Sequence, residues 1–339
     1  MTERDRKLEH IELSLDNRIQ LERSFFDDYA LPHRGLPEIA LADVDLRTEF
    51  LGKQLAAPLL ISCMTGGTGA ATQINRNLAE AAEKAGVALG VGSQRKALED
   101  PETAATFVVR DAAPNVPILG NLGAVQLNEG MGLAECRRAV EMVDADALVL
   151  HLNPLQEALQ PEGQTNFKDL LPKIGALVYD LDVPVAVKEI GCGLAVADAE
   201  AVLREGVRIL DTAGLGGTSW ARIEAARSGD LSLGELFAHW GIPTPESIAG
   251  IDQLRSTHDF TLIGSGGVRS GLDVAKSVAL GADLVGLAQP FLAPAMESAD
   301  RVVETIERLI QELKIAMFCC GTSTLKELRR VEPIKLRQP

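Results

Sequence analysis

Eight times along the chain a short, almost unbroken apolar run gives way to small or polar residues, and then to a stretch of helical spacing. The runs are 58–64, 87–92, 116–121, 147–152, 183–189, 208–212, 261–264 and 284–288. Apolar residues at consecutive positions, without the two-residue alternation of a half-exposed sheet, are what a parallel strand covered on both faces requires. Segments such as 74–85, 133–143, 197–205 and 272–280 place apolar residues on one helical face, and several follow an Asp, Ser or Thr that can cap a first turn. Eight strand–helix units predict an α/β protein built as a single (β/α)8 TIM barrel spanning residues 1–339. Residues 1–50 form an N-terminal extension, and helices follow the last strand.

Composition narrows the class. The chain has 339 residues, 46% hydrophobic and 24% charged, enough for a sizeable single core. A formal charge of −15 opposes binding to nucleic acid or to an anionic membrane surface, so any basic cluster must serve a local purpose. The first ten residues are charged and carry no apolar core of a signal peptide, which leads to the expectation of a cytoplasmic protein. The longest uncharged stretch, 54–75, contains Pro58, Gly66, Gly67 and Gly69 and suits a strand and loop rather than a membrane span. Five cysteines without metal-like spacing read as reduced thiols, with Cys63 and Cys192 as small packing residues.

The ends of the runs carry the chemistry. They deliver Met64-Thr65-Gly66, Gly92-Ser93-Gln94-Arg95, Asn121, His151 with Asn153, Gln156 and Glu157, Lys188-Glu189, Asp211-Thr212 and Ala288-Gln289. In a (β/α)8 barrel these positions converge on the face where ligands bind. The seventh run ends in Ser265-Gly266-Gly267-Val268-Arg269, and the eighth leads into Ala288-Gln289. Glycines at the seventh strand end and a helix start after the eighth predict a backbone nest for a phosphate. Taken singly, each polar residue has a plain alternative as a loop cap or a satisfied core group.

Together, Arg6-Lys7 with His10, Met64-Thr65-Gly66-Gly67, Gly92-Ser93-Gln94-Arg95, His151 through Glu157, Lys188-Glu189 and Gly216-Gly217-Thr218-Ser219-Trp220 resemble the type 2 isopentenyl-diphosphate isomerases. The match runs in order from residue 4 to about residue 291 and leaves 317–339 least informed. The resemblance implies an FMN-dependent barrel that interconverts isopentenyl and dimethylallyl diphosphate in isoprenoid biosynthesis, with the flavin reduced and Mg2+ bound. It further implies NADPH or another donor as reductant, although no dinucleotide fingerprint is present, and a homo-oligomer such as a tetramer or octamer.

Carried over residue by residue, the resemblance assigns the FMN phosphate to Gly266, Gly267 and Arg269, with the backbone of Ala288 and Gln289. Lys188 would face the flavin edge that gains charge on reduction. Thr65, Gly66, Ser93, Asn121 and Thr218 would bind the remaining polar edge and the ribityl chain, with Met64 near the ring. Arg6, Lys7 and Arg95, with His10 as a fourth donor, would hold the diphosphate. Ser93, Gln94, Asn153 and Gln156 complete the expected substrate contacts. Glu157 is the expected Mg2+ ligand, and Gln156, Lys188 and His151 are the expected catalytic groups, with flavin N5 or Gln156 carrying the protons. The first ten residues, a solvated tail on composition alone, would then close as a lid.

Two other readings compete. An FMN-dependent 2-hydroxyacid oxidase would share the barrel and nest, but it needs a base histidine and a carboxylate-binding arginine after the sixth strand. Residues 211–222 hold no histidine, and the next is His239. A flavin-binding barrel with a regulatory role would have no use for the Glu, Gln, His and Lys gathered at one rim.

Overall fold

The fold is taken from a computed structural model that describes residues 3–336, leaving aside the side chains of residues 3–6 and 70. The eight apolar runs form a closed parallel barrel. Its strands are Leu59–Ile61, Ala88–Gly90, Ile118–Gly123, Ala147–His151, Val185–Lys188, Ile209–Asp211, Thr261–Ser265 and Leu284–Leu287, with the eighth returning to pair with the first. These strands are numbered one to eight below. All pairings are parallel and in sequence order, as right-handed strand–helix–strand connections produce. Six of the strands are shorter than their apolar runs because terminal residues bend into the loops that form the site, whereas Ile118–Gly123 and Thr261–Ser265 extend past the C-terminal ends of theirs.

Alternation along each strand separates two layers of core. Leu60, Ala88, Leu119, Val149, Ala186, Ile209, Ile263 and Leu284 share the inner cluster, while their strand neighbours, such as Leu59, Leu89, Leu148 and Leu210, pack in the larger outer cluster with the helices. Phe50 and Leu55, from the hairpin Thr48–Phe50 and Lys53–Leu55, join the inner cluster. The barrel interior is therefore packed solid, and the loops beyond the strand ends are where a ligand fits.

The helices start where their caps dictate. Thr68 Oγ1 accepts from Ala71 N, so the helix Gly69–Ala85 begins five residues before the spacing at 74 indicates; Gly69 to Gln73 carry no apolar period to announce it. The expected helix at 133–143 appears as Leu133–Val143, and those at 197–205 and 272–280 appear as Val196–Arg204 and Gly271–Ala279. The region after the last strand becomes the helices Gln289–Glu297 and Ala299–Cys320, the short helix Leu325–Leu328 and the strand Ile334–Lys335. That strand pairs antiparallel with Tyr29–Ala30, so the extension before the barrel and the segment after it are tied together. Among the described residues no helix is long and apolar enough to cross a membrane.

Candidate active site

A cavity of about 290 Å³ opens at the C-terminal ends of the strands. At one end stands the glycine nest. Gly266 and Gly267 have φ of 106° and 71°, and a Cβ on either would fall 2.2–2.3 Å from the backbone oxygen of Gly214 or Gly216. Only glycine permits both the conformation and the approach. Ala288, the N-cap of the helix Gln289–Glu297, provides no side-chain cap; Pro290 has no N–H and Phe291 N donates to Ala288 O, so in the first turn the N–H of Gln289 is the one left for a ligand.

Arg269 opens onto the same end. Its Nη1 donates to Val268 O at 3.1 Å and its Nη2 to Gln20 Oε1 at 2.8 Å. Its surface is accessible through the cleft, yet the surrounding protein desolvates the guanidinium and holds its pKa below the usual arginine range, against the pull of Asp273. Gln20 Oε1 also accepts from Thr218 Oγ1 at 3.1 Å, so the extension fastens the loop after strand six to the nest. An N–H cradle with a desolvated cation suits a phosphate group, and on these grounds the residues fit FMN.

The middle of the cavity is lined by the strand ends. Cross-strand pairing puts His151, Lys188 and Asp211 in register on strands four, five and six. His151 Nδ1 is 2.8 Å from Asn121 Oδ1, the geometry of a neutral imidazole donating to an amide. Burial, with Lys188 and Arg95 nearby, pushes the His151 pKa down to about 3. Lys188 is 7% exposed and donates to Glu189 O, and its Nζ lies 4.0 Å from Asp211 Oδ2. Glu189 turns away: its Oε2 accepts from the N–H groups of Ile190, Gly191 and Cys192, fixing the loop. Met64, Thr65, Gly66 and Ser93 line the facing wall.

The loop after strand four turns into the helix Pro154–Leu159 and orients three polar side chains. Asn153 Nδ2 donates to Gln156 Oε1 at 3.0 Å and to Glu157 Oε1 at 2.8 Å, while Glu157 Oε2 accepts from Gln164 N at 2.6 Å. Asn153 Oδ1 is buried without a hydrogen-bond partner. No cluster of three His, Cys, Asp or Glu able to hold a metal occurs among the described residues. Glu157 with the open Asn153 oxygen nevertheless fits Mg2+, which needs few protein ligands when phosphate and water oxygens supply the rest.

The far end is cationic. Lys7, on the helix Glu3–Leu15, donates from Nζ to Ser93 O at 3.2 Å and stands 5.2 Å from the centroid of the Phe107 ring. Arg95 lines the same end and donates from Nη1 to Gln164 Oε1 at 3.2 Å. The side chain of Arg6 lies outside the described residues. His10 stacks edge-on against Trp220, with ring centroids 5.2 Å apart.

One expectation is corrected. Gln94 does not reach the cavity: it is fully buried, its Nε2 donates to Ala139 O at 2.7 Å and its Oε1 accepts from Asn121 N at 2.8 Å. Between Ser93 and Arg95, which do face the cavity, the backbone turn points Gln94 into the barrel wall. Cys63, expected as packing alone, packs against the inner core and also lines the cavity. Burial raises its thiol pKa against the pull of Lys188.

One residue was missed. Glu224, on the helix Trp220–Ser228, is completely buried and accepts from Gln156 Nε2 at 2.9 Å. It also meets His10 Nε2 at 3.1 Å, out of line for a hydrogen bond. Burial opposes its ionisation, but His10, Gln156 and Arg227 together hold its pKa below the usual range. The sequence signal was present, a lone carboxylate four residues after Trp220, but nothing local says that this side chain points inward.

The chain matches the family of FMN-dependent dehydrogenases over residues 12–112 and 158–332. It shares 50% identity over 331 residues with an isopentenyl-diphosphate delta-isomerase of Paracoccus zeaxanthinifaciens, covering 96% of this chain and 95% of that one. It shares 50% over 330 residues with an isopentenyl-diphosphate delta-isomerase of a Synechococcus strain, covering 96% and 94%. Among solved structures, a mandelate oxidase bearing an FMN adduct superposes with a TM-score of 0.64 at 20% identity, covering 96% of this chain and 92% of that one, a likeness of fold. Identity of this extent over nearly the full length, joined to a phosphate nest and a cationic end in one cavity, means that the chain belongs to the FMN-dependent, type 2 isopentenyl-diphosphate delta-isomerases.

Proposed function

We propose that the enzyme interconverts isopentenyl and dimethylallyl diphosphate with reduced FMN and Mg2+ held in this cavity, after reduction by NADPH or another donor. The observation that carries the reading is the polarity of the cavity. A backbone nest with Arg269 lies at one end and side-chain cations Lys7 and Arg95 at the other, with a neutral histidine and an oriented amide between them. Two anionic groups, a flavin phosphate and a diphosphate, match two such ends.

Moving a double bond by one carbon adds one proton and removes another with no net oxidation, so the protein must steer protons and exclude water. Reduced FMN, when bound, would supply acid–base chemistry and negative charge able to stabilise a developing carbocation. Lys188, at the cavity floor, would supply the positive charge that the reduced edge of a bound ring requires. His151, kept neutral by burial, holds Asn121 in place and adds no positive charge that would oppose a cationic transition state. Gln156 is aimed by Asn153 on its oxygen and Glu224 on its nitrogen, which supports a role in positioning the pentenyl group or relaying a proton. Glu157 and Asn153 Oδ1 would take part of the Mg2+ shell, with diphosphate oxygens and waters completing it.

The extension, residues 1–50, is proposed to contribute a substrate lid through its first helix, Glu3–Leu15, which brings Lys7, His10 and Ile11 to the cavity. A 2-hydroxyacid oxidase lacks support, because the loop after strand six offers Thr218 and Trp220 to the cavity and no histidine. Anaerobic incubation of the purified protein with FMN, a reductant, Mg2+ and isopentenyl diphosphate should yield dimethylallyl diphosphate. Equal yield with FMN held oxidised would overturn the reading.

A further inference from the structure

Beneath the cavity floor lies a buried carboxylate that the proposed chemistry leaves unused. Asp211 ends strand six and is 3% exposed. Its Oδ1 accepts from Ser265 Oγ at 2.5 Å and from Ala213 N at 3.1 Å. With that oxygen held by two donors, Oδ2 is the one that faces Lys188, 4.0 Å from Nζ. The two residues are direct cross-strand partners, so the spacing is set by the barrel backbone and not by flexible loops. Ser265, Ala213 and Cys63 line the cavity above it, whereas Asp211 does not. Glu189, the other carboxylate beside Lys188, spends Oε2 on three backbone N–H groups of its own loop.

We propose that Asp211 is a positioning residue that sets how much of the Lys188 charge reaches a bound flavin. It anchors the ammonium at the floor and offsets part of its field, and so limits the preference of the site for reduced over oxidised FMN. This rests on the reading that Lys188 lies against the flavin. The balance has a physical purpose. A cation at full strength would hold the reduced ring so firmly that its basicity would fall, which disfavours proton exchange with substrate. The coupling is a matter of geometry, because Oδ2 faces no ammonium once Lys188 is replaced.

The test is the midpoint potential of FMN in the reconstituted holoenzyme, measured by anaerobic titration, for wild type, Asp211→Asn, Lys188→Met and the double variant. Asp211→Asn keeps the shape and an oxygen for Ser265 and Ala213. It should raise the ratio of reduced to oxidised FMN affinity about tenfold, or about 30 mV for a two-electron couple. Lys188→Met should move the potential down. In the Lys188→Met background the Asp211→Asn change should have a clearly smaller effect. Ser265→Ala removes a hydroxyl dipole whose positive end rests on the carboxylate, so it should shift the potential down, by less than Asp211→Asn shifts it up, and it serves if Asp211→Asn does not fold.

If Lys188→Met lowers the potential while Asp211→Asn and Ser265→Ala leave it unmoved, the proposal is overturned and the reading of Lys188 survives. An equal Asp211→Asn shift with and without Lys188 would also overturn it, since Asp211 would then act as an independent charge. An unmoved potential in Lys188→Met would remove the reading and the proposal together.

Discussion

The two ends of the cavity that are proposed to hold anions are made of different material. The nest after strands seven and eight is backbone: glycines in conformations closed to other residues and the uncapped start of a helix, fixed by the barrel itself. The cationic end is side chain, delivered by Arg95 from a short helix and by Lys7 from a helix that precedes the barrel. Backbone donors lose little freedom when they bind, and they suit a cofactor that stays. Long cationic side chains carry more rotamer entropy and can release their ligand, which suits a substrate that must leave. Residence time is thus written into the choice between main chain and side chain.

The hardest blow to this contrast is Gly267→Ala. With φ at 71° and the new Cβ placed 2.3 Å from Gly216 O, the nest cannot keep its shape. Flavin affinity should fall more than about 100-fold, a loss of roughly 3 kcal/mol from strain and displaced N–H donors together. Flavin content of the purified protein, read by absorbance, checks this; full occupancy would mean that the phosphate binds elsewhere.

At the other end, Lys7→Ala or Arg95→Ala should leave flavin content unchanged and raise the apparent substrate constant by well over tenfold, since losing one member of a desolvated charge pair costs about 2–5 kcal/mol. Arg6→Ala is expected to do the same. Deleting residues 1–10 should also lower turnover through lost closure; wild-type kinetics in the deletion would return this segment to a solvated tail.

Glu157→Gln sharpens the division within the substrate end. It should reduce Mg2+-dependent turnover about 10–100-fold with flavin affinity intact. An unchanged metal requirement would leave Glu157 with its contacts to Asn153 and Gln164 alone.

Gln94 is the sequence neighbour of Arg95 but belongs to neither end, being buried against Ala139 and Asn121. Gln94→Leu leaves the Asn121 N–H unpaired and should destabilise folding by about 1–3 kcal/mol, seen in chemical denaturation, with little change in the substrate constant. A selective change in that constant instead would restore Gln94 to the substrate contacts.

The smallest effect concerns pH. His151 has its folded pKa depressed to about 3, so on acidification the unfolded chain takes the proton first. Its contribution to stability is full above about pH 6.5 and is lost as pH falls toward 3, by at most about 1.4 kcal/mol per unit. Stability of wild type should therefore fall more steeply between pH 6.5 and 5 than that of His151→Asn. Equal slopes would mean that the imidazole titrates normally.

How much of this was legible in sequence depended on whether the signal was local. The eight strands were, because burial on both faces leaves unbroken apolar runs. Residues at strand ends were as well, since the fold fixes where those ends point: Lys188, His151, Asn121 and the glycines all reach the cavity. Gln94 was misjudged because a turn between two cavity-facing neighbours reverses one side chain, which spacing does not reveal. Glu224 escaped notice because its partners Gln156 and His10 are brought to it only by the packing of three separate segments. Asp211 was visible as a polar strand end, but its pairing with Lys188 required the cross-strand register.

The pairing of Tyr29–Ala30 with Ile334–Lys335 has a consequence during biosynthesis. The extension leaves the ribosome about 300 residues before its strand partner is made. Arg34 N waits likewise for Cys319 O, and Asp45 for its bridge to Thr324. At about 5–20 residues per second, the nascent extension spends on the order of 15–60 s without these partners. Over that interval Phe26, 1% exposed in the finished protein, has no completed barrel to pack against, and chaperones can recognise it. The segment that carries Lys7 is therefore among the last to settle, and a chain interrupted between Leu287 and Ile334 would have all eight barrel strands with its mouth unfinished.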